Sequence, residues 1–272
     1  MPELPEVETT RRALQPVCEG QKITEIVIRN RRLRWPIPTD IDLHFRGQTI
    51  QRLRRRSKYL LFDTVEGSLI LHLGMSGSLC HVPRQTPPRK HDHVDIVLDS
   101  GRCLRLHDPR RFGSLLWAKQ PEEHKLLAQL GPEPLDCSTD ELATHLYNLG
   151  KNRKVAVKNF IMNAQIVVGV GNIYANEALF LAGIRPARAA GRLTQNQWQK
   201  LAGAIQDRLR QAIVAGGTTL RDFQHSDGKP GYFAQELAVY NRGGESCPAC
   251  GSEIKQQRHN QRSSYYCPGC QH

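Results

Sequence analysis

The sequence predicts an α+β chain in which a leading helix and an antiparallel β half are followed by a helical half and a C-terminal metal ribbon. Three observations predict this. Short β-rich runs separated by turn residues extend from Lys22 to Trp117, apolar residues recur at three- and four-residue spacing beyond Gly131, and two Cys-x-x-Cys pairs end the sequence. At 272 residues, two domains with separate cores are the default expectation.

The first element is a helix over residues 5–17, with Pro5 suited to a first turn and Glu6 and Glu8 near the positive end of its dipole. The runs KITEIVIRN, YLLFDT, SLILHLG, HVDIVLD and residues 114–117 then read as strands of an antiparallel sandwich or barrel. Gly131-Pro-Glu-Pro134 follows a helical-looking HKLLAQL and marks a boundary. Beyond it, residues 141–149, 155–162, 173–181 and 195–215 carry helical spacing, and Gly216-Gly217 closes the last segment. The expected divisions are 1–130, 131–240 and 241–272.

Cys247-x-x-Cys250 and Cys267-x-x-Cys270 stand sixteen residues apart, the spacing of a four-cysteine zinc ribbon. Four thiolates leave no open coordination position, so one structural Zn2+ is expected. Cys18, Cys80, Cys103 and Cys137 follow no pattern and read as reduced thiols.

The balance of 38 Lys and Arg against 26 Asp and Glu, a formal +12, implies a polyanionic partner. No run approaches the roughly 18 apolar residues of a spanning helix. The acidic, proline-rich start is unlike a signal peptide, so the expectation is a cytoplasmic, nucleoid-associated protein with no membrane partner. Without an oligomerisation segment, a monomer is expected. In RLRRRSK, alternation would put Arg54, Arg56 and Lys58 on one face, either lining a groove or as a solvated strand. Val168-Gly-Val-Gly-Asn172 precedes a helix with Asn172 expected at the N-cap, suiting a nucleic-acid phosphate.

MPELPEVET, HLGMSGSL, KHDHVD, DPRRFG, VVGVGNIYANEALF and SDGKPGYFAQEL, in this order and with the terminal ribbon, resemble the formamidopyrimidine-DNA glycosylases from end to end. The resemblance implies an N-terminal antiparallel β-sandwich with a leading helix, a C-terminal helical domain with a helix–two-turns–helix, and a zinc ribbon. It further implies double-stranded DNA carrying oxidised bases, lying across the cleft between the domains.

Residue by residue, the resemblance makes Pro2, once Met1 is removed, the amine nucleophile for base excision and strand cleavage, with Glu3 as its acid or base. Lys58 matches the general acid of β-elimination and Arg262 the residue of δ-elimination. Met75, Arg110 and Phe112 match the triad that fills the gap left by a flipped nucleotide. His91, Arg110, Lys154 and Asn172 are assigned to the DNA backbone, although Arg153 and Lys158 compete with Lys154. The stretch from Gly217 to about Tyr240 is assigned to lesion reading, with the Thr218 carbonyl meeting the N7–H of 8-oxoguanine. Glu6 is expected to be a structural acid that orients the N-terminus. Two alternatives are an endonuclease VIII-type enzyme for oxidised pyrimidines and a non-enzymatic zinc protein that binds damaged DNA. Leu4 with the MSGSL block, and the glycine-rich stretch after Gly217, argue against the first, and Pro2, Glu3, Lys58 and Arg262 together argue against the second.

Overall fold

The computed structural model describes residues 2–217, 237–259 and 262–272. They divide into two compact units, one holding residues 2–129 and 215–217 and the other residues 130–214 with the described residues from 237 onward.

The first unit opens with α1 (Leu4–Cys18), which buries Leu4, Val7 and Leu14. Two four-stranded antiparallel sheets follow, one in the order β1 (Ile23–Ile28), β6 (Asp92–Leu98), β7 (Arg102–His107), β5 (Ser78–Pro83). The other runs β2 (Arg52–Arg56), β3 (Tyr59–Asp63), β4 (Ser68–His72), β8 (Ser114–Ala118). Leu60, Phe62, Leu69 and Leu71 of one sheet share a single apolar cluster with Ile26, Val94, Ile96 and Leu104 of the other, so the sheets form a sandwich. A short helix, α2 (Ile41–Phe45), adds Phe45 to this cluster. On the far face of β6, the buried Asp95 accepts from the Arg105 guanidinium at 2.8 Å.

The basic run splits where its chemistry changes. Arg54 pairs with Asp63 and Glu122, and Arg55 with Glu8, so these cations are spent on the fold and do not line a groove. The alternation ends at Ser57, whose φ of 57° turns the chain before Lys58. HKLLAQL is not a helix but a series of turns. The apolar count misleads there because the following prolines leave no room for a helix to propagate.

In the second unit α3 (Thr139–Gly150) starts at a Ser138–Glu141 capping box and packs on α6 (Gln195–Val214). α4 (Val157–Ile161) contributes Phe160, which stacks on Trp198 with ring centroids 5.5 Å apart. α5 (Asn172–Leu181) is nearly all buried. The ribbon hairpin, β9 (Lys255–His259) and β10 (Arg262–Tyr266), docks on this helical core: Val239, Ile254 and Tyr265 cluster with Phe180. Among the described residues no helix is long and apolar enough to cross a membrane.

Glu8 illustrates how charge is used to join α1 to β2. Burial pushes its carboxyl up, but hydrogen bonds from Arg11 and Arg12 and the charges of Arg11 and Arg55 outweigh this and hold it at about 2, against an ordinary 4.5. A depressed carboxyl contributes stability above its unfolded value and loses it on acidification through its folded value. Thermal melts of Glu8→Gln should therefore show a lower Tm at neutral pH. Between pH 4.5 and 2 the dependence on pH should be shallower than that of the parent.

Candidate active site and metal centre

Pro2 is buried immediately ahead of α1. Glu3 is the N-cap in extended conformation, and Glu3 with Glu6 closes a reciprocal capping box in which the Glu6 Oε2 accepts the Glu3 N–H at 2.7 Å. Both carboxyl groups are almost completely buried. The expectation that Glu6 orients the N-terminus thus has a bond to carry it. Gly217 lies over the same carboxyl. A Cβ there would stand 3.3 Å from Glu6 Cγ, and its φ of 83° suits glycine alone. Thr218 lies outside the described residues.

Lys58 is half-buried in the turn after β2. Arg55 ties that turn to α1, reaching the Ser57 carbonyl at 3.0 Å and the Glu8 carboxylate at 3.2 Å. His72, unassigned by sequence, faces this turn. Burial, then the charges of Lys58 and Arg34, lower its imidazole to about 4. It is therefore neutral at physiological pH, with Nδ1 accepting the Gly74 N–H at 2.9 Å and the proton left on Nε2.

Two turns then meet backbone to backbone. Gly74 has a φ of 70°, and a Cβ on it would come within 2.4 Å of the Gly113 nitrogen. This contact brings Met75, half-buried, beside the loop carrying Arg110 and Phe112, both exposed. The Arg110 guanidinium stands 5.1 Å from the Phe112 ring centroid. His91 is joined to the same loop, its carbonyl accepting the Asp108 N–H at 3.0 Å.

Lys154, Asn172, Arg262 and the four ribbon cysteines belong to the second unit. Lys154 is exposed. Lys158 is buried, and its ammonium donates to the Ser263 carbonyl at 2.7 Å and the Ser264 hydroxyl at 2.9 Å, so it anchors β10 beside the exposed Arg262 and does not offer itself to phosphate. The N-cap of α5 is Gly171 and not Asn172, which occupies the first helical position. The Asn172 Oδ1 is buried with no protein partner among the described residues.

Asn176 and Glu177 were missed by sequence reasoning. Both are fully buried. Asn176 accepts the Tyr265 N–H at 2.8 Å, while Glu177 accepts the N–H groups of Ala238, Val239 and Tyr240, each at 2.9 Å. The available signal was an Asn-Glu pair inside an otherwise apolar helix.

All four sulfurs of Cys247, Cys250, Cys267 and Cys270 lie within 4.8 Å of one another, with Cys250–Cys267 at 3.4 Å and Cys247–Cys270 at 3.9 Å. A tetrahedral ion with Zn–S of about 2.3 Å sets its sulfurs about 3.8 Å apart, so the quartet fits zinc. Hydrogen bonds from the Ser252 hydroxyl and backbone N–H lower the Cys250 thiol to about 6, favouring the thiolate that binds metal. The other four cysteines are free thiols.

Profiles of three domains match in succession: the Formamidopyrimidine-DNA glycosylase N-terminal domain over residues 1–115, the Formamidopyrimidine-DNA glycosylase H2TH domain over 130–224, and the zinc finger found in FPG and IleRS over 244–272. The chain belongs to the formamidopyrimidine-DNA glycosylase family. It is 57% identical over 278 residues to the Formamidopyrimidine-DNA glycosylase of Alkalilimnicola ehrlichii, covering 100% of both chains. The fold is similar to the Thermus thermophilus Fpg crystal structure, with a TM-score of 0.88 and 38% identity over 99% of this chain and 98% of that one. It is equally similar to Lactococcus lactis Fpg in complex with DNA containing an abasic site, with a TM-score of 0.88 and 32% identity over 99% of each chain.

In this family member the ribbon cysteines are a structural zinc site. Metal analysis should find one zinc per chain in the purified protein. Cys267→Ser, which removes a buried ligand, should bind well below one and lose the ordered packing of Tyr240 on Tyr265, read as a change in tyrosine fluorescence.

Proposed function

We propose that the chain is a bifunctional DNA-repair glycosylase that excises oxidised purines, 8-oxoguanine and formamidopyrimidines, through a Schiff base on Pro2 and then cleaves the abasic strand by β,δ-elimination. The seat of Pro2 carries this reading: a buried residue held at the head of α1, next to a buried carboxyl and above the Glu6 anchor. Membership of the family and the abasic-site DNA bound by the Lactococcus protein support it.

Removal of Met1 leaves Pro2 with a secondary amine, and α-amino groups titrate near pH ~8, so a useful fraction is neutral. Its lone pair attacks the deoxyribose C1′ as the bond from C1′ to the base breaks, and Glu3 delivers a proton as the damaged base leaves and the ring opens. The product is an iminium with no N–H to lose. It stays cationic and accepts the electron pair released when a C2′ proton is removed, which expels the 3′ phosphate. Lys58 serves this β-elimination as acid. Arg262 on the zinc hairpin serves the δ-elimination that expels the 5′ phosphate.

The nucleotide must leave the duplex to reach Pro2. Met75, Arg110 and Phe112 fill the gap, Phe112 by wedging and Arg110 by bonding the widowed base, and the exposure of Arg110 and Phe112 suits this task. His91, Arg110, Lys154 and Asn172 hold the backbone, and Thr218 reads the lesion. The enzyme acts as a monomer on nucleoid DNA in the cytoplasm.

Borohydride should trap a covalent complex between the processed enzyme and a duplex carrying 8-oxoguanine opposite cytosine, and an enzyme retaining Met1 should trap none. Trapping on thymine glycol alone would assign the chain to oxidised pyrimidines, and no trapping on either lesion would leave only binding. The same duplex should be bound more weakly as salt rises, with a log–log slope of about 0.9 for each phosphate contact.

A further inference from the structure

Asp108, between β7 and β8, has no part in the chemistry above, yet its surroundings are unusual. The side chain is completely buried, and no cation pairs with it among the described residues. Its Oδ2 accepts the Gly113 N–H at 2.7 Å, while Oδ1 is buried without a donor among the described residues. The backbone is equally engaged: its carbonyl accepts from the Arg111 N–H at 3.2 Å and stands 2.8 Å from the His93 Nε2, and its N–H reaches the His91 carbonyl.

A buried carboxyl with one oxygen unmatched works against folding, so stability alone does not account for an acid here. What the carboxyl does hold is the amide directly after Phe112. It spans the loop from its first residue to its last, closing a turn in which Arg111 takes a φ of 55°, strained for a side chain of that size. The fit has no slack. A Cβ on Gly113 would come within 2.9 Å of Oδ2 and 2.8 Å of the His72 carbonyl.

We infer that Asp108 is a positioning residue for the duplex wedge: by accepting the Gly113 N–H it fixes the loop that presents Arg110 and Phe112 to the gap left by an extruded base. Through its bond to His91 it also sets that loop in one frame with a backbone-contact residue. The inference rests on the wedge reading of the preceding subsection.

The test compares two substrates, a duplex with 8-oxoguanine opposite cytosine and a single-stranded oligonucleotide with an abasic site, which has no gap to fill. Asp108→Ala should lower kcat/KM on the duplex by about 10- to 100-fold, the scale of a misplaced positioning group, yet leave cleavage of the single strand within about twofold. Asp108→Asn should retain duplex activity, because its carboxamide oxygen accepts the same N–H. Adding Asp108→Ala to Arg110→Ala/Phe112→Ala should cause no further loss, since no wedge remains to position.

Equal losses on both substrates, or a further loss in the triple variant, would overturn the inference. So would full duplex activity in Asp108→Ala while Arg110→Ala/Phe112→Ala is impaired. Full duplex activity in Arg110→Ala/Phe112→Ala would instead remove the wedge reading itself. Should Asp108→Ala not fold, Asp108→Leu, a γ-branched apolar side chain that fills the same space but cannot accept the Gly113 N–H, takes its place with the same expected and contrary results.

Discussion

The bond from the Glu3 N–H to the buried Glu6 carboxylate governs the arrangement of the site. A chain terminus is ordinarily frayed, and a frayed amine makes a poor nucleophile because its orientation must be regained at each encounter. Here the second peptide of the chain is anchored at the first turn of α1, and α1 in turn is held to β2 by Glu8 and Arg55. Pro2 thereby inherits the rigidity of the sandwich. The same Glu6 carboxyl is covered by Gly217, which opens the stretch assigned to lesion reading. One buried acid thus touches the residue beside the proposed nucleophile and the start of the proposed recognition segment.

A second constraint lies at the Gly74–Gly113 contact, where two turns approach too closely for any side chain. Loops usually acquire mobility with exposure, but these are clamped by glycine packing, by His72 on the Gly74 N–H and by Asp108 on the Gly113 N–H. The exposed Arg110 and Phe112 therefore project from a rigid base. In the second unit the ribbon is similarly secured, by zinc ligands at its knuckles and by Lys158 and Asn176 along β10, while Glu177 holds the segment that leads into it.

Much of this was legible in the sequence. Apolar periodicity located the helices of the second unit to within a few residues, and Cys-x-x-Cys spacing located the metal quartet, because both signals are local. Motif resemblance supplied Pro2, Glu3 and the wedge residues, which composition and spacing do not single out. Long-range pairing was not legible. Arg54 looked like part of a free basic face with Arg56 and Lys58 because its partners Asp63 and Glu122 lie elsewhere in the chain. Lys158 competed with Lys154 as a phosphate ligand for the same reason, its acceptors being more than a hundred residues away. HKLLAQL shows the converse error, in which local apolar content suggested a helix that the adjoining prolines do not permit.

In the proposed mechanism the reacting group is the backbone nitrogen of Pro2. Peptide mapping by mass spectrometry of the borohydride-reduced complex with 8-oxoguanine duplex tests it directly. The sugar remnant is expected on the N-terminal peptide, at the Pro2 nitrogen of a chain lacking Met1. A remnant on Lys58 or any other side-chain amine, with the Pro2 nitrogen unmodified, would contradict it.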